Sequence, residues 1–324
     1  MSILVTGSAG FIGYHTAKRL IKSNEEVIGL DNFSNYYDKS LKESRWKILK
    51  KSPNFNGIKS DISNLKNIKD IFLKFKPKQV IHMAAQAGVR DGYKQPQMYT
   101  QSNLVGMINI LDCCKAADVS QLIYASSSAV YGNSQKLPYS ENNHIGMPLS
   151  IYAATKQSNE AMAYSFSSLY SIPITALRLF TVYGPWGRPD MAIYNFTSSI
   201  LNEKEILLYD KGRMKRDFTF INDTVEGIIK SMSPNPKTQD ISPPYNVFNI
   251  GAGKPIEIIN LIKILEQELN KKAILKFKDS HFGEMKSTWS DITKIKNETS
   301  YTPKTSLEEG IKIFVSWFKD YYKI

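Results

Sequence analysis

In the first half of the chain, short apolar runs alternate with longer stretches in which apolar residues recur every three or four positions. The short runs predict β-strands, and the longer stretches predict amphipathic helices. The predicted strands span residues 3–5, 26–30, 55–59, 79–83, 122–125 and 174–177, and the predicted helices span 11–22, 39–50, 65–75, 97–117 and 152–170. This alternation indicates an α/β fold, a Rossmann-type doubly wound parallel sheet whose ligands lie beyond the carboxyl ends of the strands.

Beyond Phe180 the pattern is less regular. It predicts loops at 185–189, 231–244 and 251–255, helices at 261–269 and 306–322, and a strand at 246–250 that returns to the large sheet. We therefore expect two interleaved domains. Residues 1–180, with returning segments near 216–250, are assigned to the Rossmann domain, and residues 181–215 and 251–324 to a smaller domain.

Three glycines, Gly7, Gly10 and Gly13, follow the first predicted strand and open the first predicted helix. Backbone N–H groups and the helix dipole there face any anion, and the missing side chains let a pyrophosphate approach. Glycine is also the usual residue of a tight turn for steric reasons alone, so the triplet needs support from its surroundings.

Asp31 supplies that support, because it ends the second predicted strand about 20 residues further on. A carboxylate there can accept hydrogen bonds from both ribose hydroxyls of NAD, whereas NADP would place a phosphate against it. Asn32 follows without adding a cation, which favours NAD, and Asp61 and Ile62 are placed to border the adenine. The alternatives are an ordinary exposed Asp31 and a helix N-terminal role for Asp61.

Tyr152 and Lys156 stand four residues apart at the start of a predicted helix, so their side chains leave the same face. A nearby ammonium and a positively charged nicotinamide would favour the phenolate of a tyrosine whose ordinary pKa is about 10. Ser127 lies at the ligand edge of the fifth predicted strand, 25 residues before Tyr152. A chance Tyr-xxx-Lys spacing and a serine that caps backbone groups are the alternatives.

Composition narrows the function classes. Lys and Arg number 42 against 30 Asp and Glu, a net charge of +12, but the basic residues are scattered and form no nucleic-acid signature. The two cysteines, Cys113 and Cys114, are adjacent, which rules out both a disulfide framework and a cysteine-based zinc site. No uncharged apolar run is long enough to span a bilayer. We expect a soluble, cytoplasmic protein that binds neither a metal nor nucleic acid.

With these residues the chain resembles the extended short-chain dehydrogenase/reductase family, over nearly its whole length. Four further stretches are similar to the nucleotide-sugar 4-epimerases, most of all to the UDP-glucuronate 4-epimerases, and the third is the most specific. They are DNFSNYYD at 31–38, HMAAQAGVR at 82–90, TVYGPWGRPDMA at 181–192 and MKRDFT at 214–219.

The resemblance implies that Tyr152 removes the proton of the C4 hydroxyl while hydride leaves C4 for nicotinamide, giving a 4-keto sugar. The sugar then turns over, and hydride returns to the opposite face, which inverts C4. Ser127 would bind the C4 oxygen, and Lys156 would hold the nicotinamide ribose and lower the tyrosine pKa. A homodimer is implied as well, formed by the helices at 97–117 and 152–170.

The resemblance also assigns ligands to the two domains, NAD to the first and a UDP-sugar to the second. The implied cofactor-binding residues are Gly7, Gly10, Phe11, Ile12, Gly13, Asp31, Asn32, Asp61, Ile62, Ala84, Ala85, Tyr152 and Lys156. The implied substrate-binding residues are Arg90, Ser127, Ser128, Thr181, Arg188 and Arg216. For Thr181 the alternative is a β-branched residue after a strand, and for Arg188 it is a solvated loop cation.

Two positions depart from related patterns. The dehydratases of this family carry Asp and Glu after the catalytic hydroxyl residue, where this chain has Ser128 and Ala129, so dehydration lacks its acid and base. Ala129 also replaces a serine common among the uronate epimerases. UDP-N-acetylglucosamine or UDP-glucose is therefore the alternative substrate to UDP-glucuronate, and a non-catalytic NAD-binding regulator is the alternative from another class.

Overall fold

The computed structural model describes residues 2–88, 92–232, 243–278 and 286–324. Its largest element is a seven-stranded sheet in the order β10-β6-β5-β4-β1-β2-β3, in which every neighbouring pair is parallel. The strands, numbered along the chain, are β1 (Ser2–Thr6), β2 (Glu26–Asp31), β3 (Phe55–Lys59), β4 (Gln79–His82), β5 (Gln121–Ser127), β6 (Ile174–Leu179) and β10 (Tyr245–Ile250). The prediction of a Rossmann-type α/β fold is confirmed.

The helices beside the first six strands lie close to their predicted bounds. They are α1 (Phe11–Lys22), α2 (Lys39–Leu49), α3 (Leu65–Phe75), α4 (Pro96–Tyr99), α5 (Gly106–Ala116) and α6 (Ile151–Tyr170). The predicted helix at 97–117 differs in one respect, because a π-helical segment, Thr100–Val105, joins α4 to α5. That segment adds residues per turn and changes which side chains face the sheet.

Burial on both faces explains why these strands could be recognised in the sequence as apolar runs. Ile3 and Val5 of β1 pack into one hydrophobic cluster, whereas Leu4 between them packs into the cluster on the opposite face. A strand covered by helices on both sides has no polar face, so its sequence is continuously apolar.

The remaining elements include several that the sequence pattern did not predict. They are β7 (Thr181–Tyr183), α7 (Ala192–Leu201), β8 (Glu205–Tyr209), β9 (Lys215–Phe220), α8 (Ile221–Lys230), β11 (Pro255–Glu257), α9 (Ile258–Leu269), β12 (Ile274–Lys278), α10 (Thr293–Thr299) and α11 (Leu307–Tyr322). They form a three-stranded sheet, β11-β9-β7, and a two-stranded sheet, β12-β8. A third cluster of buried apolar residues lies among them.

The proposed domain division can be compared with this pairing. Strand β10 joins the large sheet, as a returning segment should, but β9 pairs with β7 and β11 in the smaller sheet. Helix α8 packs against α1, and Ile295 of α10 is buried in the same cluster as Phe248 of β10. Segments of the two domains therefore alternate along the chain more often than the proposed residue ranges indicate. The assignment of the domains stays a prediction.

Across the described ranges, none of the helices combines the length and the apolar character that a bilayer crossing requires.

Candidate active site

The glycine turn between β1 and α1 is required sterically. Gly7 has a φ of +70°, and a Cβ on it would lie 2.8 Å from the backbone nitrogen of Ala84. A Cβ on Gly13 would lie 2.1 Å from the carbonyl oxygen of Gly7. The N-cap of α1, Gly10, offers no side-chain cap, so the first N–H groups of the helix remain for another acceptor. This turn can cradle a phosphate.

Asp31, at the carboxyl end of β2, points back at this turn. Its side chain is buried, with Oδ2 accepting from the N–H of Ala9 at 3.0 Å and Oδ1 accepting from the N–H of Phe33 at 2.8 Å. These contacts exclude the alternative of an ordinary exposed strand-end carboxylate. They fix the carboxylate beside the cavity with acceptor capacity left for a diol.

Asp61 lies in the next loop of the same edge. Asn32 Nδ2 donates to its Oδ2 at 2.7 Å, and the N–H and hydroxyl of Ser63 donate to its Oδ1 at 2.8 and 2.7 Å. Burial acts to raise the pKa of Asp61, but these hydrogen bonds outweigh it and hold the pKa below its ordinary value. Asn64, not Asp61 or Ser63, caps α3 through its side chain.

One cation in this region was missed from the sequence. Lys42 of α2 is buried, and its Nζ donates to the carbonyl and the hydroxyl of Ser34 at 3.0 and 2.9 Å. Burial lowers the pKa of Lys42, and the negative charge of Asp31 opposes that shift. The available signal was helical spacing, because Lys42 and Arg45 share the apolar face of α2 with Leu41 and Leu49.

The three candidate catalytic side chains come from two elements. Ser127 ends β5, and α6 begins at Ile151 because the hydroxyl of Ser150 accepts from the N–H of Ala153 at 3.1 Å. Tyr152 and Lys156 then stand one turn apart, with Lys156 Nζ 6.0 Å from the centre of the Tyr152 ring. Lys156 Nζ donates to the carbonyl of Ala125 at 2.7 Å.

Burial controls the protonation of Tyr152 and Lys156 in the ligand-free protein. Burial raises the pKa of Tyr152, and the groups that oppose the shift are the Ser127 hydroxyl and the charge of Arg188. That Lys156 lowers this pKa stays a prediction, because desolvation dominates here and the ammonium donates to the carbonyl of Ala125. Burial lowers the pKa of Lys156 to about 8, with Glu160 opposing. At neutral pH the site thus holds an ammonium and a neutral phenol.

Asn103, another residue missed from the sequence, ties α6 to the segment after β4. Its Oδ1 accepts from the N–H of Gln86 at 2.7 Å, and its Nδ2 donates to the Gln86 carbonyl at 3.0 Å and to the Thr155 hydroxyl at 3.0 Å. That hydroxyl donates in turn to the carbonyl of Tyr152 at 2.8 Å. Asn159 of α6 donates to the backbone carbonyl of Asn103 at 2.7 Å.

A buried ion pair lies between α6 and the neighbouring strands β5 and β6. Arg178 Nε and Nη2 donate to the two carboxylate oxygens of Glu160 at 2.9 and 2.7 Å. The Ser126 hydroxyl donates to the same carboxylate at 2.6 Å. Since Glu160 lies one turn after Lys156 on α6, this cluster holds the helix against β5 and β6.

Arg188 faces the cavity from the loop after β7. Its Nη2 donates to the carbonyl of Ala87 at 2.9 Å and pairs with Asp190 at 2.6 Å, and its guanidinium lies 5.4 Å from the centre of the Tyr36 ring. Only 17% of its side chain is exposed, which excludes a solvated loop cation. Arg216 Nη1 donates to the carbonyl of Lys215 at 2.8 Å, and its side chain borders the same space.

These groups surround one cavity of about 650 Å³ at the carboxyl edge of the large sheet. That volume falls within the range of about 300–1,000 Å³ common for ligand sites. Every predicted site residue that the structure describes lines it, namely Gly7, Gly10, Phe11, Ile12, Gly13, Asp31, Asn32, Asp61, Ile62, Ala84, Ala85, Ser127, Ser128, Tyr152, Lys156, Thr181, Arg188 and Arg216. Arg90 lies outside the described residues.

Comparisons with known proteins agree with this arrangement. A family model described as GDP-mannose 4,6 dehydratase matches residues 4–314. Protein CapI of Staphylococcus aureus is 43% identical over 100% of both chains. A UDP-glucuronate 4-epimerase of Thermodesulfobacterium geofontis is 42% identical over 98% of this chain and 96% of that protein.

The fold is likewise similar to that of a solved enzyme. The crystal structure of a UDP-glucuronic acid 4-epimerase from Bacillus cereus, in complex with UDP-glucuronic acid and NAD, matches with a TM-score of 0.92. The match covers 99% of this chain and 100% of that chain at 34% identity. These similarities therefore include both the large sheet and the elements around the smaller ones.

Proposed function

Because the chain belongs to the extended short-chain dehydrogenase/reductase family, in the group that the GDP-mannose 4,6 dehydratase model describes, we propose that it is an NAD-dependent UDP-sugar 4-epimerase. Its substrate pair is UDP-glucuronate and UDP-galacturonate. The observation that carries the proposal is the convergence of Ser127, Tyr152 and Lys156 in the cavity that the glycine turn and Asp31 also line. Relatives named UDP-glucuronate 4-epimerases, 41% and 42% identical, support the choice of sugar.

The residues present fit NAD. The glycine turn leaves a space that a Cβ would fill, the uncapped end of α1 offers N–H donors, and Asp31 is held in place to accept from a ribose diol. When bound, NAD supplies the acceptor for hydride from C4 and later the donor that returns it. The same placement supports the proposed division into an NAD-binding and a UDP-sugar-binding domain.

The chain's own groups supply the proton chemistry. Tyr152 takes the proton from the C4 hydroxyl at its phenolic oxygen and later returns it, while Ser127 donates a hydrogen bond to the C4 oxygen. Since burial raises the pKa of Tyr152, positive charge must lie nearby for the phenol to release its own proton to solvent, and the resulting phenolate is the base. Lys156 contributes to that charge as an ammonium and would hold the nicotinamide ribose.

The sugar requires a further control. A 4-keto uronate is a β-keto acid that loses carbon dioxide easily, so the site must hold its carboxylate in an unreactive orientation. Ser127, Ser128 and Thr181 offer hydroxyl donors along the cavity wall, and Arg188 offers a cation. Ser128 and Ala129 leave the chain without the acid and base of a dehydratase, so epimerisation is the reaction that remains.

Substitution of the tyrosine tests the catalytic assignment. Tyr152→Phe keeps the ring but removes the proton acceptor, so we expect bound NAD to be retained and epimerisation to fall by roughly 10²- to 10⁴-fold. Tyr164→Phe on the exposed face of the same helix is the matched control. Undiminished turnover by Tyr152→Phe would remove Tyr152 from its role.

Ala129 favours a second candidate substrate. Its methyl group lines the cavity where a hydroxyl would otherwise serve a uronate, so a neutral or N-acetylated hexose is the alternative sugar. Turnover of UDP-glucuronate, UDP-N-acetylglucosamine and UDP-glucose should be measured side by side by chromatography. Exclusive use of either of the last two sugars would reject the uronate. No turnover of any UDP-sugar by NAD-loaded protein would favour a non-catalytic regulator.

We further propose that the protein is a cytoplasmic homodimer. Helix α6 exposes the apolar side chains of Ile151 and Leu169 on one face, which the same helix of a second copy would cover. The free thiols Cys113 and Cys114 suit a reducing compartment. Light scattering that gives the monomer mass at micromolar concentration would contradict the dimer, and cell fractionation tests the compartment.

A further inference from the structure

Arg45 of α2 is completely buried and bridges two loops of the site. Its Nη1 donates to the carbonyl of Ala9 in the glycine turn at 2.9 Å. Its Nη2 donates to the carbonyls of Trp186 and Gly187, in the loop after β7, at 2.6 and 3.2 Å. One guanidinium thus joins the cofactor side of the cavity to the loop that carries Arg188.

This cation has only neutral partners among the described residues. Besides the three carbonyls it donates to the Tyr37 hydroxyl at 2.8 Å, its Nε has no partner, and no ion pair with a described Asp or Glu involves it. A buried charge without a counter-ion is costly, and an aliphatic side chain would fill the space without that cost. What the arginine alone provides is a planar fork whose two ends reach different loops.

A second side chain strengthens the bridge. His15 of α1 lies 2.9 Å from the carbonyl of Pro185 through Nε2, and burial lowers the pKa of His15 to about 3, so the neutral ring donates this bond. Three successive carbonyls, 185–187, are therefore held by side chains from α1 and α2. Trp186 keeps a φ of +62°, a strained conformation for a bulky residue that surrounding bonds must maintain.

The held turn leads directly to Arg188. Arg188 reaches the backbone of Ala87, and its charge opposes the rise that burial causes in the pKa of Tyr152. At the other end of the bridge, the backbone of Ala9 is held on both sides, by its N–H to Asp31 and by its carbonyl to Arg45. The contacts form one continuous path from Asp31 to Arg188.

We propose that Arg45 is a positioning residue for Arg188, because it fixes the 185–187 turn against the glycine turn and so sets where Arg188 lies relative to Tyr152. The activity readout below rests on the proposed epimerase function. Arg45 itself reaches no reacting atom in this arrangement and acts only through the turn.

Kinetics of single and double variants test the path. Arg45→Met should lower kcat about 100-fold with a smaller change in KM, the size expected when a group near the chemistry moves by about 1 Å. Arg45→Lys should remain about as impaired, since one ammonium cannot span both loops. The matched control is Arg19→Met, which removes an exposed cation of α1 that pairs with Glu226 of α8. This variant should leave kcat unchanged. Full activity of Arg45→Lys would overturn the bridge.

The decisive comparison is made in the absence of Arg188. If Arg45 acts through Arg188, Arg45→Met added to Arg188→Met should reduce kcat less than about twofold further, because the two residues serve one function. Independent, multiplicative losses would overturn the proposal and leave Arg45 a structural residue only.

Hydrogen exchange gives a readout that needs no sugar. In the NAD-saturated full chain, Arg45→Met should speed exchange of the Gly187 and Met191 amides, bonded to Gly184 and Arg188, by about tenfold. The Tyr14 amide, bonded to Gly10 within the glycine turn, should change little. Unchanged protection at 187 and 191 would overturn the inference, even if the wild type turned over no UDP-sugar. Should Arg45→Met fail to fold, Arg45→Lys carries both comparisons.

Discussion

Two buried cations beside β5 behave in opposite ways. Arg178 and Lys156 are 5% and 4% exposed. Burial acts to lower the pKa of Arg178, but Glu160 outweighs it and the pKa rises, whereas burial lowers the pKa of Lys156 to about 8. Arg178 has a bidentate carboxylate, and Lys156 has a single backbone carbonyl. A buried cation paired with a carboxylate holds the scaffold together, whereas one that contacts only a backbone carbonyl is available to a ligand.

Removal of Lys156 should give the largest effect. Lys156→Met takes the ammonium from the site, so we expect kcat to fall by roughly 10³-fold, about 4 kcal/mol of transition-state stabilisation. The free energy of unfolding should rise, because a poorly compensated buried charge is gone. Steady-state turnover and urea unfolding measure the two changes, with the exposed Lys115→Met as control. A variant that keeps activity and loses stability would make Lys156 a structural cation like Arg178.

Removal of Arg178 should have the opposite character. Arg178→Met leaves Glu160 buried without its partner, and we expect a loss of about 3 kcal/mol in the free energy of unfolding. Adding Glu160→Gln should recover most of that loss, since both charges are then absent. Urea denaturation of the two single variants and the double variant checks this coupling. Additive losses would show that the pair itself contributes nothing.

The comparison also shows what a sequence pattern can reveal. Strands β1 to β6 were predicted because burial on both faces makes them continuously apolar. Strand β7 has only three residues, too few to show a periodic pattern. Strand β9 passes into α8 between Phe220 and Ile221 without a turn residue, so no residue marks where the strand pattern ends and the helix pattern begins. Those elements depend on partners far along the chain.

The site shows the same limit. Tyr152, Lys156 and Ser127 could be found because their spacing and strand-end position carry a chemical meaning. Lys42 and Arg45 were missed because charged residues on a helix are ordinarily assigned to solvent, and here they face inward. Asn103 was missed because it lies in the π-helical segment, whose register departs from the period that sequence reasoning assumes.

The pH dependence of stability should show a smaller difference between Lys156 and Arg178. The pKa of Lys156 is about 8 in the folded protein and 10.5 as its ordinary value, so the unfolded chain holds more protons between these limits. Linkage then requires the penalty from Lys156 to be complete below pH 8 and to fade as the pH rises. From pH 8 to about 9.5, nucleotide-free wild type should gain about 1 to 2 kcal/mol relative to Lys156→Met. A constant difference over this window would contradict the lowered pKa.

The smallest expected effect comes from a neutral residue on the cavity side. Ala129 is 9% exposed, and its backbone N–H donates to the Ser127 hydroxyl at 3.1 Å, so its methyl group lies within the same wall as the candidate donors. Ala129→Ser adds one hydroxyl that a uronate carboxylate could accept from, worth about 1 kcal/mol or roughly fivefold in kcat/KM for UDP-glucuronate. Stability should change by less than about 0.5 kcal/mol.

The comparison between sugars makes this last substitution informative. Because only the uronate has a carboxylate for the new hydroxyl, kcat/KM for UDP-glucose should stay the same in Ala129→Ser. Ser128→Ala is the converse variant and should lower the value for UDP-glucuronate alone. An equal gain for both sugars would mean that position 129 acts on the shared diphosphate or on Ser127. The cavity side would then tolerate an added polar group without using it to select the sugar.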